Sequence, residues 1–407
     1  MSIERDFSRY LNARVLSVVG AVVSTVALPV LVYQLTGSAG WTSAVTAAEA
    51  LPYLVFGLPA GALADRLDRR SMMVAMDFTV AAVLLSVVLA WLAGGLTAPH
   101  VVAVGFASQT AFVFFDAANF GALPALVGKE KLTAAYSKVF GRTTVVELVV
   151  PGVTGLLVVA VAPAALLAVN ALTAVGSALL LRAITSSMAT PRPVRGGREL
   201  VADMREGLRF LWREPVIRIL TLVGATHSVA GGAWIALLVP FADQVLGVAS
   251  KGDARLAALF SCWGLGAIIA SRLLPRVTAR WGSARVALVA LPLSLLGGVL
   301  VLVSEHWLVA CAAATYWGVA GAVVVINGIT YRQEVCPEEL QSRVNTTARM
   351  IAWGLGRPLG AALAGALSVA AGDSRAGIGA GLVVLSAGVV TAWVSPVLRG
   401  QKYRDRA

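Results

Sequence analysis

The sequence predicts an all-α membrane protein, with twelve transmembrane helices arranged as two pseudo-symmetric six-helix bundles. Three observations carry this. Of the 407 residues, 58% are hydrophobic and only 13% charged, about half the charged share of an ordinary soluble domain. Apolar stretches of roughly twenty residues, the length a helix needs to cross the hydrocarbon core, recur along the whole chain. When tails and loops are counted alternately, every Lys and Arg except Lys251, Arg255 and Arg375 falls on one side.

Polar and turn-rich breaks place the spans at about 11–33, 42–64, 72–94, 98–122, 139–161, 164–184, 216–240, 256–275, 284–304, 307–330, 346–370 and 376–397. The one long polar interval, 185–215, reads as a cytoplasmic linker loop between an N-terminal bundle (1–184) and a C-terminal bundle with a short tail (216–407). The basic bias puts both termini in the cytoplasm and argues for an even number of spans in a multi-pass protein of the cell membrane. The net charge of +12 then answers to anionic lipid, so the bilayer is the expected partner and nucleic acid is not. The first apolar stretch is too long for a cleavable signal and reads as the first spanning helix. A monomer is expected.

Enzyme chemistry finds no support. Cys262, Cys311 and Cys336 and the three histidines lack metal-ligand spacing, so neither metal nor cofactor is expected. There is no H-E-x-x-H, C-x-x-C or G-x-S-x-G. The run from Gly121 to Lys129 spaces its glycines too widely for a P-loop, which argues against direct coupling to ATP.

The halves echo one another. Without gaps, Gly141 to Gly155 aligns with Ala348 to Ala362, matching Arg142 to Arg349, Leu148 to Leu355 and Pro151 to Pro358. Parallel six-helix repeats suit a transporter, because two similar bundles can rock about a central site.

After the second span comes Gly57-Leu-Pro-Ala-Gly61-Ala-Leu-Ala-Asp65-Arg66-Leu-Asp68-Arg69-Arg70. It resembles the G-x-x-x-D-R-x-G-R-R loop between helices 2 and 3 of the major facilitator superfamily. Gly61, Asp65, Arg66, Arg69 and Arg70 match, and Asp68 stands where that family has Gly. Read physically, Gly61 allows close helix approach, Asp65 needs a cation, and the arginines anchor in headgroups. The matching cation is Arg349 at the start of span eleven, which makes these six residues a conformational gate. Arg276 to Arg285 resembles the weaker counterpart loop but has no acid. Pro151 and Gly155 match part of the G-P-x-x-G-G motif of proton-coupled drug exporters, whereas Val150 and Thr154 depart from it. Ser342-Arg343-Val344-Asn345, Trp353-Gly354, Pro358-Leu359-Gly360 and Leu35 to Ser38 look like the branch of enterobactin-type siderophore exporters and macrolide efflux pumps. Pro151, Gly155, Pro358 and Gly360 are expected to serve helix packing.

The resemblance implies that helices 1, 4, 7 and 10 line a central cavity. Their polar stripes nominate Arg14, Ser17 and Ser24; Gln109, Phe112, Asp116 and Asn119; His227 and Trp234; and Tyr316 and Asn327 as cavity residues. Arg14 and Asp116 are expected to pair, because a lone charge there is costly. Asp116, Glu49 and Glu147 are the candidate proton carriers. Glu49 and Glu147 serve equally as halves of ion pairs with Arg357 or Arg142, and Asp77 is expected to pair with the arginines of its adjoining loop.

The expected function is secondary active export of a drug-like or secondary-metabolite small molecule by alternating access, in exchange for protons. An uncoupled or importing facilitator, and a membrane sensor or assembly protein on the same fold, remain open on the same residues.

Overall fold

The computed structural model describes residues 2–64, 66–186, 188, 197–337, 340, 344 and 347–400. Among them regular structure is helical throughout, with no strand. Asp65, and Ser342, Arg343 and Asn345 of the branch-like stretch, lie outside the described residues.

Six long helices form the first bundle: α1 (Ser2–Thr36), α2 (Ala39–Ala64), α3 (Arg69–Leu92), α4 (Ala98–Gly128), α5 (Ala134–Ala160) and α6 (Pro163–Arg182). Next comes α7 (Gly197–Arg213), and then the second bundle: α8 (Pro215–Gln244), α9 (Ala254–Trp281), α10 (Ser283–Leu302), α11 (Trp307–Val335), α12 (Thr347–Ala371) and α13 (Ser374–Val394), with a last turn α14 (Pro396–Gly400). Eleven of the described helices are long and apolar enough to span a bilayer. The twelfth, α2, has 26 residues and so extends about 39 Å. Leu92, Leu172 and Val383, each about 70% exposed, lie on the outer faces where lipid takes the place of a protein neighbour.

Two connections are more helical than the sequence reading gives them. The fourth and fifth spans stay separate helices, as expected, but helical turns continue through the polar stretch between them, so only a sharp kink parts α4 from α5. The chain turns at Gly128, whose φ of 73° only glycine adopts without strain. The 185–215 interval, read as a loop, contains the 17-residue helix α7. Leu200, Met204, Leu208 and Leu211 recur at three- and four-residue steps between arginines, giving an amphipathic helix too polar to register as a span. Its Leu211 is fully buried with Ile217, Cys336, Val344 and Ala348 of the second bundle.

Within bundles, small residues set the helix spacing. A Cβ on Gly360 would lie 2.0 Å from the Val229 carbonyl oxygen, and one on Gly266 would lie 2.4 Å from that of Thr315. Lipid supplies no hydrophobic drive between helices, so such close approach is what holds them. The chain start is tied in by polar contacts. Fully buried Asp6 accepts from the amides and hydroxyls of Thr185 and Ser186 at 2.7–3.1 Å, and Arg9 donates to the Ala183 carbonyl at 2.6 Å.

The cores of the bundles show how they meet. At the end remote from the chain termini, one apolar core runs unbroken from Leu28, Leu31 and Leu167 into Trp234, Leu237, Phe241 and Leu259. Tyr33 donates to Asp243 at 2.8 Å and Gln34 to the Ser250 carbonyl at 2.6 Å, linking α1 to the far end of the second bundle. There α5 touches α9 so closely that a Cβ on Gly155 would sit 2.8 Å from Ala257 Cα. Toward the termini, the bundles keep separate cores, one around Tyr10, Phe115 and Leu123 and the other around Leu220, Leu291 and Val324. The bundles thus share a core at the far end and keep separate cores at the terminal end, and the boundary between those separate cores is the cleft.

The loop before α3 is built differently from the expectation. Arg69 is buried and does not reach into headgroups. Its guanidinium donates to the Gly121 carbonyl at 3.0 Å and lies flat against that glycine. Arg70 donates to the Ile184 carbonyl. Arg66 is exposed. A Cβ on Gly61 would meet nothing within 4 Å, so this glycine makes no close helix approach in this state. Asp68, in place of the family's Gly, caps α3 by accepting from the Ser71 amide at 2.8 Å and hydroxyl at 2.6 Å.

Those bonds, the Ser71 hydroxyl first, hold the Asp68 carboxyl below its ordinary range. The cap's contribution is therefore complete above about pH 4 and falls away as pH drops through the lowered value. Asp68→Ala is expected to cost about 1 kcal/mol, and Asp68→Asn far less, as read from thermal unfolding in detergent. Gly155→Leu is expected to push α5 off α9 and open the far end. Spin labels at Ser38 and Ser250 would report it as a shift to longer distances.

Candidate substrate site

The cleft's charges come from four helices. Arg14 on α1 donates to Asp116 on α4 at 2.8 Å, and the two side chains keep only 15% and 10% of their exposure. The guanidinium also lies over the Phe112 and Phe115 rings, at 5.6 and 5.8 Å. Spacing on one helix face explains this: Phe112, Phe115, Asp116 and Asn119 recur at three and four residues. Asn119 accepts from the Tyr10 hydroxyl, which closes a polar layer between α1 and α4.

Across the cleft, α12 presents Arg349, Trp353 and Arg357 four residues apart. Trp353 stands between the two guanidinium groups, at 5.4 and 4.8 Å. Arg349 also lies 5.8 Å from the Tyr53 ring on α2, joining the bundles. Residues Met350–Leu355 form a π-helical turn. Pro358 has no amide to bond the carbonyl one turn back, and the wider turn accommodates that loss. Glu147 on α5 is exposed and within electrostatic reach of Arg14, Arg349, Arg357 and Asp116. No carboxylate–cation contact within 4.0 Å joins it to any described residue. It therefore stands apart from both ion pairs considered for it, and Arg142 turns instead to Asn12 at 3.4 Å. Three cations and two anions thus gather around aromatic rings, an arrangement able to hold amphiphilic molecules with polar groups.

Other nominated residues lie elsewhere. Ser17, Ser24, Gln109 and Glu49 border a small cavity inside the first bundle. Asp77, expected beside its loop arginines, is 3% exposed and borders the same cavity. It lies too deep in α3 for Arg69 and Arg70, which are committed to backbone carbonyls. His227 is buried against Gly321 and 3.4 Å from the Ser294 hydroxyl. Trp234 is enclosed by Phe241 and Trp317. Tyr316 stands against Gly297. Asn327, fully buried, donates to the Ser283 carbonyl at 2.8 Å and braces the start of α10. Pro151 is half-buried on α5, near the Gly155 contact, and Pro358 is buried beside the Gly360 contact. Tyr53, Trp353, Asn170 and Ser108 were not nominated. The four-residue spacing of Arg349, Trp353 and Arg357 was the available signal for one of them.

This fold and its charged cleft define a membrane transporter, and the chain belongs to the Major Facilitator Superfamily, whose profile matches residues 11–361. The chain is similar to the multidrug efflux pump Tap of Mycobacterium tuberculosis, 29% identical over 96% of this chain and 93% of that one. It is also similar to the enterobactin exporter EntS of Escherichia coli, 26% identical over 95% and 91%. Among solved structures it superposes on a bacterial homologue of the human lysosomal transporter Spinster, inward-facing and occupied, with a TM-score of 0.75 and 14% identity over 99% and 97% of the chains. It superposes likewise on the nucleoside transporter NupG, with a TM-score of 0.73 and 14% identity over 97% and 99%.

Removing one partner of the Arg14–Asp116 pair leaves the other buried and unpaired. Asp116→Asn is expected to cost about 3–5 kcal/mol, whereas Arg14→Met with Asp116→Leu costs much less. Thermal midpoints of the purified variants, compared with the parent, check this.

Proposed function

We propose that the chain is a secondary active transporter, not an enzyme, that exports a drug-like or secondary-metabolite small molecule by alternating access in exchange for protons. The observation that carries this is the pairing of one unbroken core at the far end with a charged, aromatic cleft at the terminal end. That geometry is one of two states that rocking bundles would exchange. The moving bodies are 1–184 and 216–407, with 185–215 between them. The arginine bias puts both termini, and so the open end, in the cytoplasm, where an exporter collects its substrate. Full-length similarity to proteins named multidrug efflux pump and enterobactin exporter supports the direction and the substrate class.

The substrate contacts are Arg14, Asp116, Phe112, Asn119, Glu147, Arg349 and Arg357. When the cytoplasmic end closes, Asp65 is expected to reach Arg349 and hold the gate, with Gly61, Arg66, Arg69 and Arg70 shaping its loop. Asp116, Glu49 and Glu147 are the candidate carriers of the coupled proton. The protein acts as a monomer.

Reconstituted into vesicles with an acidic lumen, the protein is expected to accumulate a fluorescent drug such as ethidium as protons leave. A protonophore should abolish the accumulation. Equilibration without accumulation identifies an uncoupled facilitator. Absence of any flux, across a panel of drugs, identifies a non-transporting protein on this fold.

A further inference from the structure

Within the first bundle, behind the cleft, is a cavity of about 30 Å³, room for one or two waters. Glu49 from α2 and Asp77 from α3 both border it, among neutral polar groups from α1, α4 and α6 such as Ser17, Gln109 and Asn170. Phe112 and Phe115 form one wall, and Arg14 lies against both rings.

The hydrogen bonding of this region is incomplete in a specific way. Asp77 Oδ2 is buried and has no hydrogen-bond partner. Glu49 makes no hydrogen bond or ion pair with any described residue. Arg14 uses Nη2 on Asp116, while its Nη1 is buried and unpartnered. Buried polar groups are ordinarily satisfied, so the two orphaned atoms, Asp77 Oδ2 and Arg14 Nη1, mark a place that changes partners.

The facing groups limit what can happen. From α1, Arg14 is the one cation within electrostatic reach of Asp77. The α4 face brings Ser108 and Gln109, with Asp116 behind Arg14. From α6 come Asn170 and Ser177, whose hydroxyl sits beside Asp77. On α12, Arg349 and Arg357 stack on Trp353 near Tyr53, one turn beyond Glu49. With Arg14 held by Asp116, an ionised carboxylate bordering this cavity has no paired cation and would cost several kcal/mol, so each is favoured in its protonated form.

We propose that this cavity is a proton site, bordered by Glu49 and Asp77 as its two carboxyls, and that loss of the proton from Asp77 draws Arg14 from Asp116 to Asp77. Proton release then frees Asp116 at the cleft wall, and proton uptake restores the Arg14–Asp116 pair. Substrate and proton act at separate places, linked by one guanidinium. The coupling role rests on the reading of the chain as a proton-driven exporter. The site itself does not.

The test is infrared titration of the purified protein, parent and variants, for the carboxylic-acid carbonyl stretch. The parent is expected to show a protonated carboxyl at neutral pH that titrates away on alkalinisation. Asp116→Asn should keep the band and the Glu49→Gln, Asp77→Asn double variant should lose it. No such band in the parent at neutral pH, or an unchanged band in the double variant, overturns the proposal. So does loss of the band when sodium is added at constant pH, which identifies a sodium site. In vesicles, Asp77→Asn is expected to abolish gradient-driven accumulation while exchange between equal concentrations continues, and accumulation surviving in the double variant overturns the coupling role. A parent protein that shows the titration yet moves no compound overturns the exporter reading and leaves the proton site standing.

Discussion

A guanidinium inside a bilayer must have a counter-charge, and much of the first bundle is organised around that requirement for Arg14. Asp116 meets it at 2.8 Å, two phenyl rings pack against the guanidinium, and Tyr10 and Asn119 complete the layer. In a low-dielectric setting the pair is held by its mutual attraction and penalised by the desolvation of both members. Such a pair is useful where it exchanges partners more than where it only stabilises. Its position, on the wall between the cleft and an internal polar cavity, gives it a partner on each side.

The two ends of the molecule are held by different means. At the far end, apolar packing continues across the bundle boundary and is sealed by Tyr33–Asp243 and by glycine-mediated backbone contact. At the terminal end, the link across the boundary includes Arg349 over the Tyr53 ring, with α2 against Gly354. Cation–ring contacts are modest in energy and tolerant of geometry. They can give way while the intrabundle contacts of Gly360 and Gly266 cannot, because there a backbone already fills the space. Tight glycine–backbone contact thus holds each bundle together and seals the far end, where Gly155 meets Ala257, while at the terminal end the boundary includes the looser contact of arginine with ring.

The α2–α3 loop shows how one substitution is absorbed. Where the family places a glycine, this chain has Asp68, and the local task changes from permitting a turn to capping a helix. Arg69 and Arg70 follow, using carbonyls at Gly121 and Ile184 to hold α3 against its own bundle. In this conformation the loop's arginines serve the bundle's integrity, and the exposed Arg66 is the one left facing outward.

How much was legible in the sequence depended on whether the determining force is local or distant. Hydropathy determined the spans, because a bilayer imposes one length and one composition on each helix, and the Gly57–Arg70 stretch pointed to the family. The Arg14–Asp116 pair was equally legible, since the cost of a lone buried charge demands a partner and the polar stripes limited the choice. Helix α7 was not, because its amphipathic pattern resembles neither a span nor a loop. The placement of Asp77, Asn327, His227 and Trp234 was decided by the tertiary structure alone. Helical periodicity shows which residues share a face, but not which neighbour that face meets. Asp77 turned into a cavity shared with Glu49 because α2, α4 and α6 closed around it, and Asn327 turned to the start of α10 because a carbonyl waited there. Sequence determined the helices, the orientation bias and the charges; only packing decided which charges face the cleft, which face each other and which are left without partners.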